Sequence, residues 1–192
     1  MTKDDLRFKK TDKAIRHAFL KLVSQHTIEE ITIKEITALS ECNRNTFYLH
    51  YTDKFDLINQ LCNTQLTLIK KALNELSVNT YSNRTEWYLD CAEKSLDIIE
   101  TYRNFYFPIL GQNKYHHFVA EFGNVSHQHI LNVLKEQNAS YPKYNELTSE
   151  YLSNGMVGVI RCWLLHPDKY TKTHILKEFE SIIINIGTVI FE

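Results

Sequence analysis

Apolar residues recur along this chain at spacings of three and four, and the first clear stripe is Ile15, Ala18, Phe19, Leu22 and Val23. Those positions fall at i, i+3, i+4, i+7 and i+8, which puts one apolar face on a helix expected over about residues 9–25. Ile28 and Ile31 close the core of the following linker. Ile33, Ile36 and Leu39 then mark a second helix over roughly residues 33–40, and Thr32 with Glu35 three residues on predicts a capping box at its start. Beyond the corner Glu41-Cys42, Asn43 is a good N-cap for a third short helix, whose Phe47 and Tyr51 share one face at i and i+4. Thr52 or Asp53 caps a long fourth helix to about residue 76, with Ile58, Cys62, Leu66, Ile69, Leu73 and Leu76 on its buried side.

The polar stretch 77–85 has turn composition and precedes a fifth helix over about residues 86–102. Pro108 and Gly111 mark a second break. Further helices are expected over about 115–137, with Phe118, Phe122, Val125 and Val133 aligned, and over about 146–165 between Pro142 and Pro167. The last, about 173–191, carries Ile175, Phe179, Ile182, Ile183, Ile186 and Ile190 on one broad apolar face.

Composition strengthens the helical reading. The chain has only five glycines and three prolines in 192 residues and none of either before Pro108, which a sheet protein with several hairpins would find hard to manage. The expected fold is therefore all-α, with an N-terminal three-helix domain over residues 1–53 and a helical bundle over 54–192. No apolar run reaches the ~20 residues of a bilayer span, and residues 1–10 are polar and charged, so a cytoplasmic location with no membrane partner is expected. Cys42, Cys62, Cys91 and Cys162 lie far apart, without zinc-site or disulfide-scaffold spacing, which reads as four reduced thiols.

A net charge of −1 carries no global signature of nucleic-acid binding, but the distribution is uneven. Seven cations against three anions leave the first 25 residues at +4 and the remainder at −5, an asymmetry that fits either an anion-facing N-terminal end or a solvated helix face.

The second helix, corner and third helix have the dimensions of a helix-turn-helix, whose second helix can enter a DNA major groove. Around its buried Phe47 and Tyr51 the third helix is expected to expose Arg44, Asn45, Thr46, Tyr48 and His50, a face of donors and π-surface without a carboxylate. The run Thr46-Phe47-Tyr48-Leu49-His50-Tyr51 followed by Lys54, with Thr32-Ile33 upstream and Phe55 to Ile58 downstream, resembles the DNA-binding region of TetR-family transcription regulators.

That resemblance covers about the first 60 residues. It implies phosphate contacts from Thr46, His50, Lys54 and Thr32, and a base-edge or backbone contact from Tyr48. Arg44 and Asn45 are the candidates for direct readout, Arg toward guanine and Asn toward adenine. With the cap residue Asn43 these form the candidate DNA-binding set. A cation at Lys54, in the first turn of a helix, opposes the helix dipole and makes more sense beside a phosphate. Two positions depart from the family pattern. Glu41 stands where relatives place a corner glycine, so a left-handed backbone there would cost about 1 kcal/mol, and Leu49 replaces a residue often polar or basic.

The family resemblance also implies an effector pocket and a dimer interface in the C-terminal helices. Aromatics cluster between Trp87 and Phe122, and Trp87, Tyr102, Tyr106, Phe118, Phe122 and His129 are the candidate pocket lining, with core packing as the alternative. Gly155, Met156, Val159, Trp163, Phe179, Ile182 and Ile186 are the candidate dimer contacts, with internal core as the alternative, giving a homodimer that reads a near-palindromic duplex. His116-His117 and His127-Gln128-His129 have no metal-ligand spacing, because such neighbours point apart on a helix, and no metal or cofactor is expected. No catalytic motif appears, so the expected function is a non-enzymatic regulator, a repressor controlled by a small-molecule effector. Activation, or control by a protein partner docking on the C-terminal helices, is the alternative. A helical metal carrier or enzyme is the remote one.

Overall fold

The computed structural model describes residues 3–77, 80–137 and 142–190, and the regular structure among them is helical throughout. In order, the elements are α1 (Lys3–Val23), α2 (Ile33–Leu39), α3 (Arg44–His50), α4 (Lys54–Asn74), α5 (Arg84–Thr101), α6 (Arg103–Tyr106), a π-helical turn (Phe107–Gly111), α7 (His116–Gln137), α8 (Pro142–Leu165) and α9 (Lys172–Ile190). The chain divides into two compact units, Met1–Gln65 and Leu66–Glu192. The boundary lies inside α4, whereas the sequence pattern places it at the start of that helix. Leu57 and Ile58 have no exposed surface and Leu61 and Cys62 almost none, so the first turns of α4 supply core to the first unit.

In the first unit α2 packs on both α1 and α3. Ile15, Phe19, Val23, Ile28, Ile31, Ile36 and Phe47 are buried together, each such side chain contributing roughly 1.5–3 kcal/mol. Helices of two turns do not hold themselves in water, so packing and caps decide whether α2 and α3 form. The expected capping box is present: the Thr32 amide donates to Glu35 Oε2 at 2.8 Å, and the Glu35 amide donates to Thr32 Oγ1 at 3.3 Å. Asn43 Oδ1 accepts from the Thr46 amide at 2.7 Å. Asp53, rather than Thr52, caps α4 by accepting from the Phe55 and Asp56 amides, both at 2.8 Å. Caps of this kind are worth about 1 kcal/mol each.

Two local features depart from the sequence reading. Helix α1 begins at Lys3 rather than near Lys9, extending its N-terminal end by Leu6, Arg7 and Phe8. At the other break, Pro108 does not end the helical path; the chain continues through the π-helical turn, where the Gln112 amide donates to Phe107 O at 2.9 Å. Pro108 sits in the first positions of that turn, where a missing N–H costs little. The break falls after Gly111, at which an added Cβ would lie 3.1 Å from Leu164 Cβ, so the glycine permits the turn to press against α8.

In the second unit α7 lies along α8, α5 packs on α9, and the π-helical turn packs on α8. Trp87, Leu96, Ile99, Phe105, Tyr106, Ile109, Leu110, Phe118 and Leu164 are its most deeply buried side chains. Trp87 Nε1 donates to Leu76 O at 3.0 Å, which satisfies the one polar group of an otherwise apolar ring. No described helix is long and apolar enough to cross a membrane.

The α2–α3 corner carries a measurable strain. Glu41 has φ 54°, a left-handed conformation in a residue with a Cβ, and the Cys42 amide donates across it to Thr37 O at 3.1 Å. Glu41→Gly is expected to stabilise the first unit by about 1 kcal/mol, and Glu41→Val to destabilise it, read as opposite shifts of the thermal midpoint.

Candidate nucleic-acid interface and ligand recess

The outer face of α3 is assembled by the cap at Asn43 and by the two aromatic residues that α3 and its C-cap turn inward, Phe47 and Tyr51. This leaves Arg44, Asn45, Tyr48 and Leu49 exposed, with Leu49 at 75% the most open large apolar side chain of the helix. Arg44 Nη2 donates to the Tyr48 hydroxyl at 3.1 Å, and its guanidinium lies 5.6 Å from the Tyr48 ring centroid. The two side chains one turn apart therefore hold each other in an extended pose. No acid occurs within α3 itself.

Four residues expected to contact DNA are placed differently from the sequence reading. His50 is not a free donor on the surface: its side chain is only 2% exposed and its ring stacks on Phe8, with centroids 3.8 Å apart. Phe8 belongs to the added turns of α1, so the covering residue escaped a reading that started the helix at Lys9. Its i, i+4, i+7 relation to Asp12 and Ile15 was the available signal. The Thr46 hydroxyl donates to Asn43 Oδ1 at 3.0 Å, and the Thr32 hydroxyl donates to Glu35 Oε2 at 2.7 Å, so both donors are engaged within their caps. Lys54 Nζ donates to Glu29 O at 2.6 Å and Ile31 O at 2.7 Å. Those carbonyls give a cation at the start of α4 partners within the chain. They also tether the 27–31 linker.

Beside the outer face of α3, Arg7, Phe8 and Thr11 of α1 join Asn43, Thr46 and Leu49 around a surface recess of about 400 Å³. Arg7 was absent from the candidate set, although it belongs to the cation-rich first 25 residues. The orientation of α3 on α1 is held at Asp12, whose carboxylate accepts the Tyr51 hydroxyl at one oxygen and Arg16 Nε at the other, the latter at 2.8 Å. Burial and that bond push the Tyr51 phenol well above its ordinary range.

In the second unit the aromatic cluster is packed core. Trp87, Tyr106, Phe118 and Phe122 are at most 2% exposed, and Phe105 meets Phe118 edge-on at 5.1 Å. Tyr102 lies at the surface instead, 39% exposed. The expected pocket lining is thus closed by its own rings. His129 is the exception: its ring stacks on Trp87 at 5.1 Å, its Nε2 lies 3.7 Å from Cys91 Sγ, and it borders a polar recess with Lys70, Gln128 and Asn132. Burial lowers its pKa. Among the described residues no group of three or more His, Cys, Asp or Glu could hold a metal ion.

The large apolar recess, about 590 Å³, lies elsewhere. Tyr88 and Ala92 of α5, Ile130 of α7, Leu152, Met156 and Val159 of α8, and Phe179 and Ile182 of α9 surround it, with Glu150 and Asn154 as the polar groups. Most residues expected at a dimer interface therefore border this recess. Trp163, 2% exposed under the Arg103 guanidinium, and Phe179, 3% exposed, belong to the protomer core rather than to an outer face. The side chain of Ile186 lies outside the described residues. The exposed stripe of α8 runs instead through Leu147, Tyr151, Gly155, Gly158, Cys162 and Leu165, with Ile182 and Ile184 exposed on α9.

Burial lowers the His50 pKa, opposed by the Asp12 charge and assisted by Arg16. A depressed folded-state value means that the unfolded chain binds the proton more readily, so this contribution is complete above the unfolded value near 6.5 and is lost as pH falls below it. Acidification from about pH 7.5 to about 5.5 should lower the melting temperature of the first unit, and His50→Phe should flatten that dependence. An unchanged slope in the variant would refute the assignment.

Comparison with known proteins agrees with these two parts. A family model described as the C-terminal region of a transcriptional regulator matches residues 85–185, just over half of the chain. An uncharacterized HTH-type transcriptional regulator, YxbF of Bacillus subtilis (strain 168), is 23% identical over 154 residues, an alignment taking in 78% of this chain and 38% of that protein. The chain thus spans well under half the length of this curated relative. A TetR transcriptional regulator from Streptococcus agalactiae 2603V superposes with a TM-score of 0.69 at 20% identity, over 94% of this chain and 97% of the other. The fatty acid degradation regulator FadR from Bacillus halodurans does so with a TM-score of 0.71 at 11% identity, over 90% and 94%. With the helical body matched by the family model and the helix-turn-helix built as described, the chain belongs to the TetR family of transcriptional regulators.

Proposed function

We propose that the protein is a dimeric, sequence-specific DNA-binding repressor whose affinity for a near-palindromic operator is set by an apolar small molecule. The observation that carries the DNA reading is the paired Arg44 and Tyr48 on an acid-free, outward face of α3. A guanidinium already held in place loses little freedom when it meets the O6 and N7 acceptors of guanine, and Leu49 beside it offers an apolar contact for a thymine methyl. Asn45 is the candidate reader of adenine. Arg7 and the exposed part of α1 supply backbone contacts in place of the engaged donors of Thr46 and Thr32.

Dimerisation is assigned to the exposed stripe of α8 with α9. Leu147 at 75%, Tyr151 at 69% and Ile184 at 48% exposure are apolar surface that a partner helix pair would cover. Gly155 and Gly158 leave open space for close helix approach. The 590 Å³ recess borders the same face and shares Leu147, Tyr151 and Gly155 with it, so a ligand inside changes the surface presented to a second copy. Its volume and predominantly apolar lining suit a lipophilic effector, in keeping with the fatty-acid regulator among the structural neighbours. Regulation follows if the ligand binds the DNA-competent and incompetent dimers with different affinity.

Selection from random duplex DNA should enrich a near-palindrome. Arg44→Ala should relax preference at one base pair per half-site by about 1–3 kcal/mol, and Tyr48→Phe, which keeps the ring but removes the hydroxyl, should relax the same position less. Absence of any enriched sequence at low salt would overturn the DNA reading. Gly158→Arg should convert the dimer to monomer in analytical ultracentrifugation, with loss of operator binding; an unchanged dimer would refute the interface.

A further inference from the structure

A second recess, about 380 Å³, lies between α7 and α8 in the second unit and is polar where the first is apolar. Asn113, His116 and Asn124 border it from one side, and Glu150, Ser153, Asn154 and Arg161 from the other, over a floor that includes Gly123 and Val157. Most of these groups are engaged. Ser153 Oγ donates to Glu150 O at 3.0 Å, Asn154 Nδ2 donates to Glu150 at 2.9 Å, and Glu150 Oε2 lies 3.1 Å from His127 Nδ1.

Arg161 and Asn113 are different. Among the described residues Arg161 has no ion pair or hydrogen bond, and its Nε is shielded from solvent. Asn113 Oδ1 is likewise shielded and without a hydrogen-bond donor, on a residue held at φ 58°. Shielded polar atoms are rarely left without a partner, and here the residues that carry a donor and an acceptor border one cavity. The exposed imidazole of His116 and the first turn of α7, which contains no acid, border it too. The Glu150 carboxylate lies more than two helical turns from Arg161 along α8 and is committed to His127 and Asn154.

We propose that this recess binds a small carboxylate carrying a donor next to the acid group, of the 2-hydroxycarboxylate kind. The planar guanidinium of Arg161 takes the carboxylate, as its fork geometry favours, with His116 beside it. The ligand's hydroxyl donates to Asn113 Oδ1. Gly123 leaves the space that the ligand's substituent occupies, since a Cβ built there meets nothing within 4 Å. This site shares Glu150 and Asn154 with the apolar recess but is bordered by Asn113, His116 and Arg161, which the apolar recess lacks. Its occupancy does not depend on the DNA reading, although any effect on operator affinity would.

The test is calorimetric titration of the full-length protein, without DNA, using glycolate, lactate and phenyllactate beside lactamide as the neutral control. At least one acid should bind saturably at about millimolar affinity or tighter, with lactamide at least about tenfold weaker. Arg161→Gln should weaken binding by about tenfold or more, Arg161→Lys should recover part of it, and Gly123→Leu should block the cavity without lowering the ligand-free melting midpoint. If Arg161→Gln fails to fold, Gly123→Leu decides. No binding by any of the acids up to about 10 mM, equal binding of lactamide, or binding that survives Gly123→Leu would overturn the proposal.

Discussion

The placement of α3 depends on one carboxylate. Asp12, midway along α1, accepts the hydroxyl of Tyr51 from 39 positions further along the chain and the guanidinium of its own i+4 neighbour Arg16. A charged acceptor makes a hydrogen bond roughly twice as strong as a neutral one. Tyr51 is at the C-terminal end of α3, so fixing it fixes the axis along which Arg44, Asn45, Tyr48 and Leu49 project. His50, clamped between Phe8 and this carboxylate, belongs to the same device. His50 and Tyr51 are in this way part of the scaffold that orients the outer face of α3.

A similar division holds around α4. Lys54 looks misplaced at the positive end of a helix until its two carbonyl acceptors are seen, whereupon it becomes the tether of the 27–31 linker. Asp53 supplies the negative charge that the helix start favours. Caps, tether and the Asp12 bonds together use most of the polar side chains near α3. What remains exposed on its outer face is the Arg44–Tyr48 pair with Asn45 and Leu49.

The second unit separates filled from hollow regions by side-chain shape. Flat aromatic rings around Phe105 and Phe118 interlock edge to face and are almost wholly buried. The apolar recess opens where aliphatic side chains and Met156 of α8 and α9 meet the rings of Tyr88 and Phe179. The polar recess arises differently, from a glycine and a pair of unsatisfied groups along the α7–α8 line. One bundle thereby offers two cavities of opposite chemistry.

Much of this was legible in the sequence. Apolar spacing located most of the long helices, because a buried stripe on a 3.6-residue period has no other local explanation, and turn composition and prolines marked the rest. The capping box at Thr32, the cap at Asn43 and the strained corner at Glu41 follow from interactions spanning a few residues, which the sequence by itself determines. Tertiary structure alone decided the rest. Whether a polar side chain on a helix is a free donor or an anchor depends on what lies across from it: Phe8 for His50, the 27–31 carbonyls for Lys54. Whether aromatic residues line a cavity or fill one depends on how rings from α6 and α7 meet, and which face of α8 turns outward depends on where α7 and the π-helical turn press against it. Periodicity reports that a residue faces inward or outward from its own helix. It carries no information about the neighbour on the other side.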